Sequence, residues 1–456
     1  MIFKKKNKGA VVEPPIDLNA VGGTGPENKQ REIASRRTEA IAPTKELLYD
    51  AAVRRADKVM LDFTRDAMAS RYLIDGVWHN LEPRDRETGD AMLVVMKTVA
   101  GLNPEERRAR QVGKFQIEHQ VTKAKYNGEI ASQGVKTGER VIIDLAPKKA
   151  KVFKTLDDVG MRQQLQERLR EYMRGEQGLV LISAPPGGGF TTTWNTALHA
   201  TDRYLRDFAG LEDKHKPETN TENVKVTEFD GEAGVTPDQL LGKLMLTQPD
   251  VVVLSDLCNA ATVDAACKLA NDPKEGRLVI AGIRAQDAVE ALLRVLLLKA
   301  SSKEFAKAVR AVLNVRLVRT LNDTCKQPYE PPPQLLAKLG IPQGRVKVLY
   351  REWTPPPPDP EEDKKKKKKQ LPPGACELCE LEGPHCYGIG YRGRTGIFEL
   401  LDVNDELREA LVKQPKLEVL RNIARKSGHR SLQEEGILLV AQGLTSLNEL
   451  QRVLKS

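Results

Sequence analysis

The stretch 178–193, GLVLISAPPGGGFTTT, constrains this chain more than any other. An apolar run from Leu179 to Ser183 leads into Pro186 and three glycines, Gly187, Gly188 and Gly189; the threonines Thr191, Thr192 and Thr193 then open a helix. Strand, glycine turn and helix start follow the frame of a phosphate-binding loop, G-x-x-x-x-G-K-[ST], whose backbone N–H groups cradle phosphates while the lysine reaches their outer oxygens. In that frame Ala184 takes the first glycine position, Gly189 the second, Phe190 the lysine, and Thr191 the hydroxyl that ligates Mg²⁺. The frame predicts an α/β fold. The missing cation separates the question of fold from the question of catalysis.

A chain of 456 residues has room for two to four domains with real cores. Aromatics at 5% and charged residues at 30% fit a soluble, helix-rich α/β protein. The net charge of +9 ordinarily points to nucleic acid or an anionic surface, but much of it lies in Lys4–Lys6 with Lys8 and in Lys364–Lys369. Read as solvated runs, these leave the folded body near neutral and give no case for a specific nucleic-acid partner. No secretory signal or membrane span is expected, since the most apolar predicted helix, Ala288–Ala300, carries Glu290 and Arg294, so a cytoplasmic location is expected. Cys258 and Cys267 fall in the predicted core, and four further cysteines cluster late in the chain, a pattern that favours a metal site over disulfides.

Residues 1–43, rich in Lys, Pro, Gly, Asn and Glu, are expected to be disordered. From 44 to 150 a small α+β domain is predicted: a helix with apolar positions from Leu47 to Ala56, a strand at Val59–Phe63, and a hairpin in RYLIDGVW (Arg71–Trp78) turning at Asp75-Gly76. A helix at Ala91–Ala100, a polar stretch and a strand at Arg140–Leu145 complete it. A linker helix, Val159–Arg174, opens a nucleotide-binding type of core over 151–320. QPDVVVLSD (Gln248–Asp256) and RLVIAG (Arg277–Gly282) read as central parallel strands, and Asp287–Leu298 and Lys303–Leu313 as helices. A Cys-rich lobe over 321–395 is interrupted by a Pro/Lys-rich linker, 352–375, and 396–456 is expected to be mainly helical.

Several segments in combined order are specific: RYLIDG, AGLNPEERRARQVGKF (Ala100–Phe115), SAPPGGGFTTT, TQPDVVVLSD (Thr247–Asp256), RLVRTLNDTCKQPY (Arg316–Tyr329), CYGIGYRGRTGIFELL (Cys386–Leu401) and SLQEEGILLVAQGLTSLNEL (Ser431–Leu450). Together they resemble the hexameric ATPases that drive type II secretion and type IV pilus assembly. The resemblance implies a mobile N-terminal α/β domain, a RecA-like P-loop core, a zinc lobe and a helical C-terminus. It also implies a ring, homomeric or shared with related ATPase subunits, docked on a platform protein at the cytoplasmic face of the inner membrane. Four boxes that carry catalysis in that family are altered here. Phe190 stands for the lysine, Val226-Thr227-Glu228-Phe229-Asp230 for the acidic box, Ser255-Asp256-Leu257-Cys258-Asn259 for the glutamate box, and Ile283-Arg284-Ala285-Gln286-Asp287 for the histidine box.

The chemistry each position retains follows from its side chain. Phe190 donates no hydrogen bond, so a transferring phosphoryl group loses a clamp whose removal costs on the order of 3–4 kcal/mol. ATP with Mg²⁺ held weakly through Gly187–Gly189 and Thr191, and a fossil turn holding nothing, both remain open. Asp256 is the surviving candidate for the catalytic acid, one methylene shorter than a glutamate; a helix cap is its plainer reading. Glu228 is the retained carboxylate of the acidic box. Arg284 cannot shuttle a proton but pairs with a phosphate or with Asp256. Where the family uses two C-x-x-C pairs, Cys325, Cys376, Cys379 and Cys386 would rebuild a four-thiolate Zn²⁺ site, against a reading as free thiols; His385 is a poorer substitute ligand. Arg71, Arg107, Arg108 and Arg110 are candidates for reaching a neighbour's nucleotide, or solvated faces. The favoured function is an impaired motor-like ring subunit or regulator. The alternatives are a divergent working ATPase, in which Arg284 or Lys243 supplies the missing charge, and a nucleotide-independent scaffold whose Lys364–Lys369 run touches anionic lipid or nucleic acid.

Overall fold

The computed structural model describes residues 13–149, 152–355 and 385–455 and divides into two compact units at Val152/Phe153. The first unit runs β1 (Ile16–Ala20), α1 (Gly25–Arg36), α2 (Ile41–Val53), β2 (Ala56–Phe63), β3 (Ala67–Ile74), β4 (Val77–Asn80), β5 (Arg84–Asp85), α3 (Arg86–Ala100), β6 (Gln111–His119), β7 (Lys125–Val135) and β8 (Gly138–Pro147). Its strands form one antiparallel sheet in the order β1-β6-β7-β8-β2-β3-β4, with β5 on β3. Alternate residues of β2 and β8 are buried, as expected of a sheet with one face on the core. Leu47, Leu48 and Ala51 of α2 and Met92, Val95, Met96 and Val99 of α3 fill that core. The Asp75-Gly76 hairpin is present, both residues at positive φ (48° and 80°) as a two-residue turn of this hand requires.

The expectation of disorder over 1–43 fails for its described part. Ile16–Ala20 pairs with β6, and Thr24 with Glu27 forms a capping box that starts α1. The polar composition concealed an alternating strand, buried at Ile16, Leu18 and Ala20. Residues 1–12 lie outside the described residues.

The second unit contains α4 (Gln163–Arg174), β9 (Gly178–Ser183), α5 (Phe190–His199), β10 (Phe208–Asp213), β11 (Val224–Phe229), α6 (Pro237–Met245), β12 (Val251–Leu254), α7 (Ala260–Asn271), β13 (Leu278–Ile283), α8 (Ala288–Leu297), α9 (Ser302–Ala308) and β14 (Val309–Leu321). It continues with β15 (Gln327–Tyr329), α10 (Pro333–Lys338), β16 (Leu349–Arg351), β17 (Tyr391–Asp402), α11 (Asp405–Lys413), α12 (Leu417–Lys426), α13 (Leu432–Ala441) and α14 (Leu447–Lys455). The main sheet has the order β11-β10-β12-β13-β9-β14-β17, parallel except for β17 on β14. Strands β9, β12 and β13 are buried at every position, because helices cover both faces.

Residues 309–313, expected to be helical, begin β14 instead. Helix α9 stops at Ala308, and the run V-R-A-V-L-N-V enters the slot between β9 and β17, where β-branched side chains pack on both faces. Among the described residues no helix is long and apolar enough to cross a membrane. The Lys364–Lys369 run, most of the 352–375 linker, Cys376 and Cys379 lie outside the described residues.

Candidate functional site around the glycine loop

The loop lies beyond the C-terminal end of β9, flanked there by β13 on one side and β14 on the other. In open parallel sheets this is where ligands bind. Gly187 and Gly189 take positive φ, 72° and 95°, which glycine adopts without strain. Gly189 caps α5, so the start of a ten-residue helix faces the loop and directs N–H groups at any anion there. Ala285 N donates to Ala184 O at 3.3 Å, tying the loop to the segment after β13.

Phe190 does not project into the loop. It is 3% exposed and stacks on Trp194, ring centroids 5.5 Å apart, inside the apolar cluster beneath the sheet. Gly282 makes this possible, since a Cβ there would stand 2.6 Å from Phe190 Cζ and 2.2 Å from Ser255 O. The guanidinium of Arg284 lies over the Phe190 ring, 3.7 Å from its centroid. The ring has thus become a core residue, and a cation covers its outer face.

One carboxylate joins the polar groups of the loop. Glu218 accepts from Thr191 Oγ1 through one oxygen and from Arg284 Nη2 through the other. Its backbone is fixed as well: Asn195 Nδ2 donates to Glu218 O at 2.7 Å, and Asn195 Oδ1 accepts from Asn220 N at 2.6 Å and Thr221 Oγ1 at 2.9 Å. Trp194 Nε1 donates to Thr219 Oγ1 at 2.9 Å, and buried Glu212 accepts from Thr219 N and Oγ1, both at 3.0 Å. The segment after β10 is therefore strapped along α5 and holds a negative charge against the Thr191 hydroxyl.

Arg284 was expected to pair with a phosphate or with Asp256; its bonded partner is Glu218. Asp256, two residues past β12, is open to solvent by area but has protein on several sides. That desolvation raises its carboxyl above the ordinary range; the charges of Lys216 and Arg284 oppose the rise, and those of Glu218 and Asp213 add to it. Glu228 is exposed on the edge strand β11. In the same segment Asp230 is held at about 2 by Lys214 and His215. The carboxylate bonded at the loop is Glu218, five residues beyond the end of β10, whose last residues are Glu212 and Asp213. An apolar run ending in Leu211-Glu212-Asp213 was the available sign of this, but no strand was predicted over Phe208–Asp213. Thr192 is half-buried one position beyond Thr191, and Lys243 is exposed in the last turn of α6.

In the Cys-rich region, Cys325 and Cys386 are buried with sulfurs 3.5 Å apart. Among the described residues no three His, Cys, Asp or Glu side chains converge as a metal site. In the first unit Arg71 reaches Asp62 at 3.6 Å and Arg107 reaches Asp90 at 3.1 Å, while Arg108 and Arg110 are exposed.

Residues 36–452 match the family described as Type II/IV secretion system protein. The chain belongs to this family. Over 408 residues it is 26% identical to the type IV pilus assembly ATPase PilB of Thermus thermophilus, covering 89% of this chain but only 42% of that protein. Over 439 residues it is 25% identical to type II secretion system protein E of Pseudomonas aeruginosa, covering 96% of this chain and 80% of that one. The fold is similar to that of the Legionella pneumophila ATPase DotB, with a TM-score of 0.54, 11% identity, and coverage of 90% of this chain and 94% of that one. At that identity the likeness concerns the fold alone.

Proposed function

We propose that this chain is a ring-forming, motor-like subunit or regulator of a type II secretion or type IV pilus assembly system whose own nucleotide site is impaired. The reading rests on Glu218. A single carboxylate occupies both Thr191, the hydroxyl a Mg²⁺-bound nucleotide needs, and Arg284, the cation over the Phe190 ring, while Phe190 is packed away from the loop. A triphosphate must displace that carboxylate without a lysine to draw it in. The glycine N–H groups and the start of α5 still favour an anion, so ATP with Mg²⁺ binds weakly and turns over little. Equilibrium binding of ATP with Mg²⁺, followed by phosphate release from the same sample, tests this. Turnover that disappears in Thr191→Ala would end the proposal.

In this reading the unit that carries β1 to β8 precedes a RecA-like core that begins near Phe153 and takes β17 into its main sheet, and the Cys-rich lobe and the C-terminal helices complete a protomer of a hexameric ring. The ring sits at the cytoplasmic face of the inner membrane on a platform protein, with related ATPase subunits as neighbours and no specific nucleic acid. The 321–395 lobe holds Zn²⁺ through Cys325, Cys376, Cys379 and Cys386. What supports this is the 3.5 Å spacing of Cys325 and Cys386, near the roughly 3.8 Å that two thiolates take on one tetrahedral Zn²⁺. Stoichiometric zinc in the purified protein is expected, and its absence counts against the site.

A second reading, a divergent working ATPase, is favoured by one observation. Arg284 places a guanidinium 3.7 Å over the ring that replaces the lysine. If Glu218 swings away, that cation becomes available to phosphate.

A further inference from the structure

A cavity of about 690 Å³ lies in the second unit, between β14, β17 and the helices α8, α12, α13 and α14. Its size is ordinary for a small-molecule site. Arg316 lines it from β14 and is 7% exposed. Its nitrogens donate to Gln286 O at 2.9 Å, to Gln286 Oε1 and to Val453 O, all uncharged acceptors. A guanidinium has five N–H donors, so two have no partner among the described residues on this cavity-lining group.

The nearby carboxylates are already committed. Asp287 caps α8 and pairs with Arg421; Glu290 pairs with Arg294. Glu399 accepts from Ala288 N at 2.5 Å and Leu432 N at 3.1 Å, and holds His429 at 3.3 Å. Glu434 closes the capping box of α13. Burial pushes Arg316 below the usual arginine range, as for a cation whose counter-charges stand at a distance. Arg421 and Arg425 project from α12 one turn apart, on the face that carries the cavity wall. Arg425 is exposed, with no ion-pair partner among the described residues. Burial lowers His429, but its bond to Glu399 and that charge outweigh this and hold it above its ordinary value. Val289, Leu432 and Leu454 give the cavity apolar walls.

We propose that this cavity binds a small organic phosphate, its anionic group held by Arg316 and Arg425 and its body against Val289 and Leu454. The site is separate from the glycine loop and independent of whether that loop binds nucleotide. Calorimetric titration of the full chain with pyrophosphate and with AMP tests it, alongside Arg425→Glu and Lys426→Glu. Lys426 is the adjacent α12 residue and does not line the cavity, so its reversal controls for bulk charge. Losing a charge-assisted contact and reversing its sign should weaken binding about tenfold to a hundredfold in Arg425→Glu. Lys426→Glu should change it less than about threefold, the scale of a screened surface charge. Binding of AMP but not pyrophosphate identifies the body as part of recognition; binding of both identifies the phosphate group alone. No binding of either probe, or equal loss in the two variants, overturns the proposal. Arg425 is exposed, so a folding failure is not expected, and an unchanged unfolding temperature verifies this.

Discussion

Lys97 and Glu139 meet at 2.6 Å in the first unit with side chains 0% and 2% exposed, whereas Arg284 and Glu218 meet beside the glycine loop with side chains 41% and 14% exposed. Both join a cation to a carboxylate, but water separates their consequences. The first pair is sealed in, with Lys97 also donating to Glu106 O at 2.7 Å and Ser132 to Glu139, so neither charge has solvent to fall back on. The second pair is wet on its arginine side and adds little to folding, as half-exposed pairs do. Its position is what matters for the proposed function, because it ties up Thr191 and Arg284 beside the glycine loop.

The largest expected effect breaks the sealed pair. Lys97→Met strands a buried carboxylate and should lower unfolding free energy by about 3–5 kcal/mol, read by urea denaturation. Adding Glu139→Leu should recover much of that loss, because the stranded charge is then gone. A loss under about 1 kcal/mol in the single variant means that water reaches Glu139 after all.

Acid sharpens the contrast. Burial pushes the Glu449 carboxyl up, but bonds from Arg452 and Arg319 outweigh it and hold the group at about 2, below its ordinary 4.5. A lowered carboxyl contributes stability that is complete above its unfolded pKa and is lost as pH falls through its folded one. The loss should therefore run from about pH 4.5 to about pH 2 and amount to roughly 3 kcal/mol. Denaturation across that range should be flatter for Glu449→Gln by this amount. Identical slopes would show that the arginines do not hold the ionised form.

How much of this was legible depends on burial symmetry. Leu179–Ser183, Gln248–Asp256 and Arg277–Gly282 read correctly as strands because a strand covered on both faces is apolar without interruption. Strands β1, β6 and β7 were missed, since a half-covered strand spells out as alternating polar and apolar residues and passes for a loop. The strand, glycine turn and helix start of the loop were legible from spacing. Glu218 was not: it reaches the site from an irregular segment, through bonds from Asn195 and Trp194 that no periodicity announces. The acidic box was sought at Val226–Asp230, yet register pairs Glu212 with Glu228 and Asp213 with Phe229, leaving Glu228 one strand further out.

At the loop itself the effects move from stability to binding. Glu218→Gln removes the charge that Arg284 and Thr191 now satisfy, changing unfolding free energy by no more than about 1 kcal/mol. If the carboxylate stands in the place of phosphate, affinity for ATP with Mg²⁺ should rise about tenfold, equivalent to about 1.4 kcal/mol. Unchanged or weaker binding would make Glu218 a support for the ligand and not its competitor.

The smallest expected change, and the one that separates the two functional readings, is Arg284→Met. It removes a half-exposed ion pair and a stacked cation, each worth about 1 kcal/mol or less in such a setting. Stability should barely move. In an impaired subunit Arg284 serves only to hold Glu218, so its loss leaves ATP affinity within about threefold and turnover as slight as before; threefold is under 0.7 kcal/mol. In a working ATPase the same guanidinium substitutes for the lysine that Phe190 displaced, so Arg284→Met in the Glu218→Gln background would abolish the gain that the first substitution gives. The double variant therefore decides the matter: a gain that survives without Arg284 comes from an emptied site, and a gain that needs Arg284 comes from a released cation.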